Sequence, residues 1–120
     1  MKIHLYNYSV AIVFSYCDEV LKNMNYTVHH VDFYKGIISA RKGDGLGSLS
    51  SLIDLKFSPE KYSVGIVVVS STMSNIFGNI YYDPESEQQF IEKLFDKLEA
   101  REILNPLKVP SENFIEAIAS

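Results

Sequence analysis

The sequence predicts a two-layer α+β domain in which a four-stranded antiparallel meander carries an N-terminal and a C-terminal helix on one face. Three observations lead there. Residues 10–24 and 90–98 repeat their apolar positions at the helical period, and the segments between 26 and 72 follow the two-residue period of strands. No internal repeat, low-complexity tract or domain boundary interrupts the chain, so residues 1–120 read as one domain. Two helices with one apolar face each, flanking consecutive antiparallel strands, are most simply satisfied by packing together on one side of the sheet. The other side is left for solvent or a partner.

The elements follow in order. Met1 to Tyr6 alternates weakly, with Ile3 and Leu5 on one side, and reads as a short edge strand or an extended lead-in. Val10, Val13, Phe14, Cys17, Val20, Leu21 and Met24 share an arc of roughly 120° on a helical wheel, opposite Asp18, Glu19, Lys22 and Asn23. Asn7 or Ser9 can cap that helix, which runs over about residues 8–23 and ends at Asn23-Met24-Asn25, where asparagine tolerates a left-handed cap. Tyr26 to Phe33 and Ile37 to Lys42 then form a hairpin around Tyr34-Lys35-Gly36. Ser51 to Ser58 alternates, with Ile53, Leu55 and Phe57 on one face and Asp54, Lys56 and Ser58 on the other. Tyr62 to Thr72 contains Ile66-Val67-Val68-Val69, which is apolar on both faces and marks a central strand. Ser70 to Tyr82 reads as a polar and aromatic connection. Asp83-Pro84-Glu85 starts a second helix over about residues 84–100, because Asp caps, Pro suits the first helical position and acids favour the positive end of the dipole. Residues 104–120 read as a C-terminal extension ending in a short helix, with Phe114, Ile115 and Ile118 docked on the same domain or buried against another copy in a homodimer.

Composition bounds the function. At 120 residues with 47% hydrophobic and 22% charged, the chain can build its own core without a disulfide or structural metal. Eleven basic residues against fifteen acidic ones give a net charge of −4, which opposes the counterion release that rewards nucleic-acid binding. Nucleic acid is therefore a disfavoured partner. No apolar run approaches the ~18 residues of a membrane span, and the stretch before Cys17 lacks the length and small residues of an export signal. A cytoplasmic, soluble protein is the expectation, with a cell-envelope location the minority alternative.

One resemblance bears on that alternative. The run from Phe14-Ser15-Tyr16-Cys17-Asp18-Glu19-Val20 through Tyr26-Thr27-Val28 to Gly36-Ile37-Ile38-Ser39-Ala40-Arg41-Lys42-Gly43 resembles small helix, four-strand, helix domains of bacterial envelope lipoproteins. The resemblance covers residues 10–100 and implies the same α+β fold in a bacterial protein. It carries no catalytic signature.

The chemistry-bearing residues point away from catalysis. Gly43-Asp44-Gly45-Leu46-Gly47-Ser48 has the glycines of a phosphate loop, but it joins two strands instead of aiming amides from a helix start. His29 and His30 are adjacent on a strand, so they point to opposite faces and cannot share a metal; His4 is the third histidine. Cys17, inside a packed stripe, reads as a small hydrophobe. Ser70, Ser71, Thr72 and Ser74 lack a nucleophile elbow and read as groups that end a strand. No cofactor and no metal is expected.

What remains is recognition. Phe77, Tyr81 and Tyr82, interleaved with Gly78 and Asn79, have the chemistry of a contact surface, although rings there would equally cover the open end of a sheet, the role the sequence favours. The expected function is a non-catalytic binding or protein-interaction module whose contact surface is the sheet face with the loops around Gly43 to Ser50 and Ser74 to Tyr82, including Asp44, Leu46, Ser48, Phe77, Tyr81 and Tyr82. Its partner is an unspecified protein or small molecule. The alternative is a small enzyme or ligand-pocket domain, with the second helix closing over the sheet and the Ser70 to Ser74 hydroxyls facing a cavity.

Overall fold

The computed structural model describes residues 1–43, 49–74, 76–103 and 115–118. Its order is β1 (Lys2–Tyr6), α1 (Val10–Asn23), β2 (Thr27–Asp32), β3 (Ile37–Gly43), β4 (Leu49–Pro59), β5 (Ser63–Ser74), β6 (Ile80–Tyr82), α2 (Pro84–Ile103) and β7 (Ile115–Ile118). The α+β class and the antiparallel sheet are as the sequence predicts. The strand count is not.

Local chemistry fixes the two helices where the caps lie. Ser9 is extended, and its Oγ accepts the Ile12 amide at 3.2 Å, which satisfies one of the free donors of the first turn of α1. At the other end Asn25 takes φ +68° and lets the chain leave the helix for β2. Asp83 caps α2: Oδ1 accepts the Ser86 amide at 3.2 Å and Oδ2 accepts the Ser86 hydroxyl at 2.6 Å. Glu85 and Glu87 occupy that first turn, where the helix dipole favours acids.

The sheet runs β2-β3-β4-β5-β1-β7, every neighbour antiparallel, with β6 also paired to β5. Three strands lie outside the predicted meander. β1 enters between β5 and β7, setting Ile3 opposite Ile66 and Leu5 opposite Val64. It is neither an edge strand nor a lead-in, because Ile3 and Leu5 complete the apolar face that β5 begins, and both are fully buried. β7 replaces the predicted short helix: residues 115–118 pair with β1 of the same chain, where a free row of backbone donors and acceptors is available. Phe114 lies outside the described residues. β6 arises inside the predicted connection, and β5 does not end at its hydroxyls but continues to Ser74.

One face of this sheet is the core. Register places Ile38 and Ala40 of β3, Ile53, Leu55 and Phe57 of β4, Val64, Ile66 and Val68 of β5, and Ile3 and Leu5 of β1 on the same side. They form one cluster with Val13, Cys17, Val20 and Leu21 of α1 and Phe90, Ile91, Leu94 and Leu98 of α2. Each Val, Leu, Ile or Phe among them stabilises the fold by roughly 1.5–3 kcal/mol relative to exposure, so the cluster is what selects the register. Lys97 ties the helices to each other, reaching Glu19 at 2.7 Å and lying 5.3 Å from the centre of the Tyr16 ring. Glu87 is the one acid in the core among the described residues; its Oε1 pairs with the amino nitrogen of Met1, which also donates to the Val68 carbonyl at 2.8 Å.

Candidate interaction surface

The opposite face of the sheet is polar at its margins and apolar along β5. Because Val68 and Ser70 point into the core, Val67, Val69, Ser71 and Met73 point away from it. Leu52 stands opposite Ser71 on one side, and Ile80 stands opposite Met73 on the other. Val69 is 45% exposed and Ile80 62% exposed. Lys56 and Asp54 of β4 border the strip, facing Val67 and Val69 in register, and Asp54 Oδ1 accepts the Ser39 hydroxyl at 2.6 Å.

Past Ser71 the strip runs onto an arm. The β5–β6 hairpin is closed by the Ser74 amide on the Asn79 carbonyl at 2.8 Å, the Gly78 amide on the Ser74 carbonyl at 2.8 Å, and the Phe77 amide on Ser74 Oγ at 3.2 Å. Gly78 takes φ +72°, a conformation a glycine adopts without strain. The turn turns its rings outward: Phe77 is 78% exposed and Ile76 71% exposed. Tyr81 and Tyr82 are exposed too, on opposite faces of β6, as is Leu49, which pairs with Ser74 beside the turn. The aromatic residues therefore do not cover the end of the sheet, the role the sequence favoured.

The base of the arm is held by polar contacts. Thr72 Oγ1 donates to Asp83 Oδ2 at 3.4 Å, and the Asp83 amide donates to the Ser70 carbonyl at 2.9 Å, which ties β5 to the α2 cap. The Ser86 hydroxyl bond, outweighing partial burial and joined by the Ser86 and Glu85 backbone and Thr72, holds the Asp83 carboxyl below its ordinary pKa. Tyr26 packs beneath, its phenol raised by burial and by Asp83 against the opposing pull of Ser86. Tyr82, where β6 meets α2, is raised by Glu87 as a hydrogen-bond partner, then by burial and by the carboxylate charge. Glu87 Oε2 and Ser70 Oγ are buried without a partner of good hydrogen-bond geometry among the described residues.

Of the residues singled out from sequence, Phe77, Tyr81 and Tyr82 share the arm, whereas Asp44, Leu46 and Ser48 lie outside the described residues. The ends of their loop are nonetheless at the arm: Leu49 pairs with Ser74, and Gly43 with Ser50. Ile76 and Ile80 fall within the expected Ser74 to Tyr82 surface, whereas Val67, Val69 and Met73 on the sheet face are not singled out by sequence. The available signal was charge, since no Asp, Glu, Lys, Arg or His occurs between Lys61 and Asp83.

The remaining candidates resolve simply. Cys17 is fully buried, and desolvation with a smaller push from Asp18 drives its thiol pKa far up. His30 pairs with Ser39, but a bulge between Val28 and His30 breaks the alternation at His29. Among the described residues no three His, Cys, Asp or Glu side chains converge as a metal site, and no helix is long and apolar enough to cross a membrane. Ser70 faces the core, among Ile53, Val68 and the α2 stripe, instead of a ligand cavity. A shallow groove of about 510 Å³ lies on the outward face between Thr27, His29, Arg41, Gly43 and Leu52.

No protein-family model matches this chain, and no curated protein matches it.

Proposed function

We propose that the chain is a non-catalytic binding module, a two-layer domain in which both helices cover one sheet face while the outward column of β5 and the β5–β6 arm meet a partner. One observation carries the reading. Six of the eleven large exposed apolar side chains among the described residues, Leu49, Ile76, Phe77, Ile80, Tyr81 and Tyr82, lie at this one end. Scattered apolar side chains are ordinary on a protein surface, but a group gathered at one end of the sheet, with Ile80 and Tyr82 on the outward face of β6, has the composition of an interface core, rich in aromatics and poor in charge. The polar clamp at Thr72, Asp83 and Ser86 supports the same reading, because it fixes the arm before contact and so reduces the ordering that binding requires.

A second reading, a small-ligand site, is favoured by the groove at Thr27, His29, Arg41, Gly43 and Leu52, which sets a guanidinium beside apolar surface. The two separate experimentally. A photo-reactive amino acid placed at Phe77 or Val69 in the producing cells is expected to give a discrete protein adduct, while the same group at the distant Tyr62, 71% exposed, gives none. Absence of adducts at both arm positions, with a small molecule retained in native mass spectrometry, would replace the interaction module by the ligand reading.

A further inference from the structure

We propose that the partner of this surface is a second copy of the chain, docked across a two-fold axis with the outward columns of β5 and β6 face to face; the proposal rests on the interaction-module reading. Three features of the molecule select this occupant.

The first is the mismatch between β5 and its surroundings. A strand apolar on both faces belongs in a sheet covered on both faces. Val64, Ile66 and Val68 have their cover in α1 and α2, whereas on the outward face Val69 is exposed and Val67 and Met73 are only half-buried, with no layer of the described residues packed over them. A second sheet packed at the usual separation of about 10 Å supplies it without any change in either copy.

The second is charge. A two-fold contact sets a surface against itself, so any net charge in its centre repels its own image. The chain is acidic overall at −4, yet the span between Lys61 and Asp83 carries no charged residue. The charges stand only at the border, Asp54 and Lys56 on β4, Lys2 of β1 opposite Val67 and Arg41 of β3 opposite Leu52, and an axis through the strip can bring the acid of one copy toward a base of the other. A heterologous acidic or basic partner would find nothing complementary in that centre.

The third is area. Phe77, Tyr82, Ile80 and Val69, at 78%, 64%, 62% and 45% exposure, present on the order of 500 Å² of largely apolar surface. Leu52, Val67, Met73 and the polar margin extend this toward the ~800 Å² per partner of a standard specific interface.

Sedimentation velocity over a concentration series from about 1 to about 200 μM, the range that reports micromolar association, tests the proposal. The expected result is a shift from monomer to dimer in the wild type and in Tyr62→Lys, with Val69→Lys and Ile80→Lys remaining monomeric across the series while keeping the wild-type circular dichroism. A lysine at either position faces its own image across the axis and abolishes self-association; should one variant misfold, the other still reads the surface. A wild type that stays monomeric at the highest concentration overturns the proposal, as does a dimer that survives both substitutions. The two failures are then told apart by the Phe77 photo-adduct: an adduct containing a different protein leaves the interaction reading standing without the second copy, and no adduct removes both. Co-flotation of a monomeric chain with phosphatidylcholine vesicles would identify a lipid surface as the occupant and likewise overturn the dimer.

Discussion

Replacing Gly36 by Ala is expected to destabilise the protein by about 2–3 kcal/mol, and Gly78→Ala, at nearly the same backbone conformation, by ~1 kcal/mol or less. Both glycines have positive φ, +68° and +72°. A side chain in that region costs roughly 1–2 kcal/mol, offset by several tenths because alanine restricts the unfolded chain. The neighbours differ. A Cβ at Gly36 would lie 2.7 Å from the Phe57 carbonyl oxygen, while one at Gly78 meets nothing within 4 Å. Relief at Gly36 means moving the turn away from β4, and the Phe57 amide donates to the Gly36 carbonyl at 2.7 Å, so the movement weakens a buried bond worth about 1 kcal/mol. For a chain of this size 1 kcal/mol shifts Tm by roughly 3–6 °C, which predicts a drop of about 8–15 °C for Gly36→Ala and less than half of that for Gly78→Ala. Paired thermal and urea denaturation of the two variants measures both. Equal losses would show that backbone conformation alone sets the penalty and would refute the close approach of the turn to Phe57.

Other expectations follow from the same structure. Leu94→Ala, which empties a fully buried position between α2 and the sheet, is expected to cost about 2–5 kcal/mol by urea denaturation. Asp83→Ala removes the cap of α2 and the tie to Thr72, and should cost ~1 kcal/mol while increasing amide exchange in β6. The Asp83 carboxyl is depressed in the folded state, so its contribution is present above the unfolded pKa near 4 and is lost as pH falls through the folded value; the variant should show a flatter acid limb. Cys17 and Tyr26 are raised, so their contribution is complete below the unfolded values of roughly 8.5 and 10 and is lost as pH rises beyond them, where the unfolded chain releases protons that the native state retains. Native Cys17 is accordingly expected to react with a thiol reagent only at the rate of global unfolding; a rapid native-state reaction would contradict its burial.

Local signals were legible in the sequence, and long-range ones were not. Ser9, Asn25 and Asp83 act where short-range chemistry placed them, and the alternation of Ile53, Leu55 and Phe57 gave the buried face of β4 correctly. β1 was ambiguous because its partner β5 is about sixty residues away in the chain, and nothing within Met1 to Tyr6 encodes Ile66 or Val64. β7 was misread as helix for the same reason: the free edge of β1 that orders it is a property of the assembled sheet. Phe77 to Tyr82 was recognised as aromatic, but whether rings cover or project depends on where the helices end, which periodicity does not report. The wider surface was legible in principle through two features read separately, the doubly apolar run at Ile66 to Val69 and the absence of charge up to Asp83. Only the topology joins them.

Hydroxyl-radical footprinting, comparing the protein inside its producing cells with the purified chain at high dilution, tests the interaction surface most directly. The prediction is that labelling of Met73, Phe77 and Tyr82 falls several-fold in the cell while Tyr34 and Tyr62, exposed at the opposite end, label equally in both settings. Equal labelling of Met73, Phe77 and Tyr82 in both settings would mean that the outward face of β5 and its arm meet only solvent, and would contradict the account.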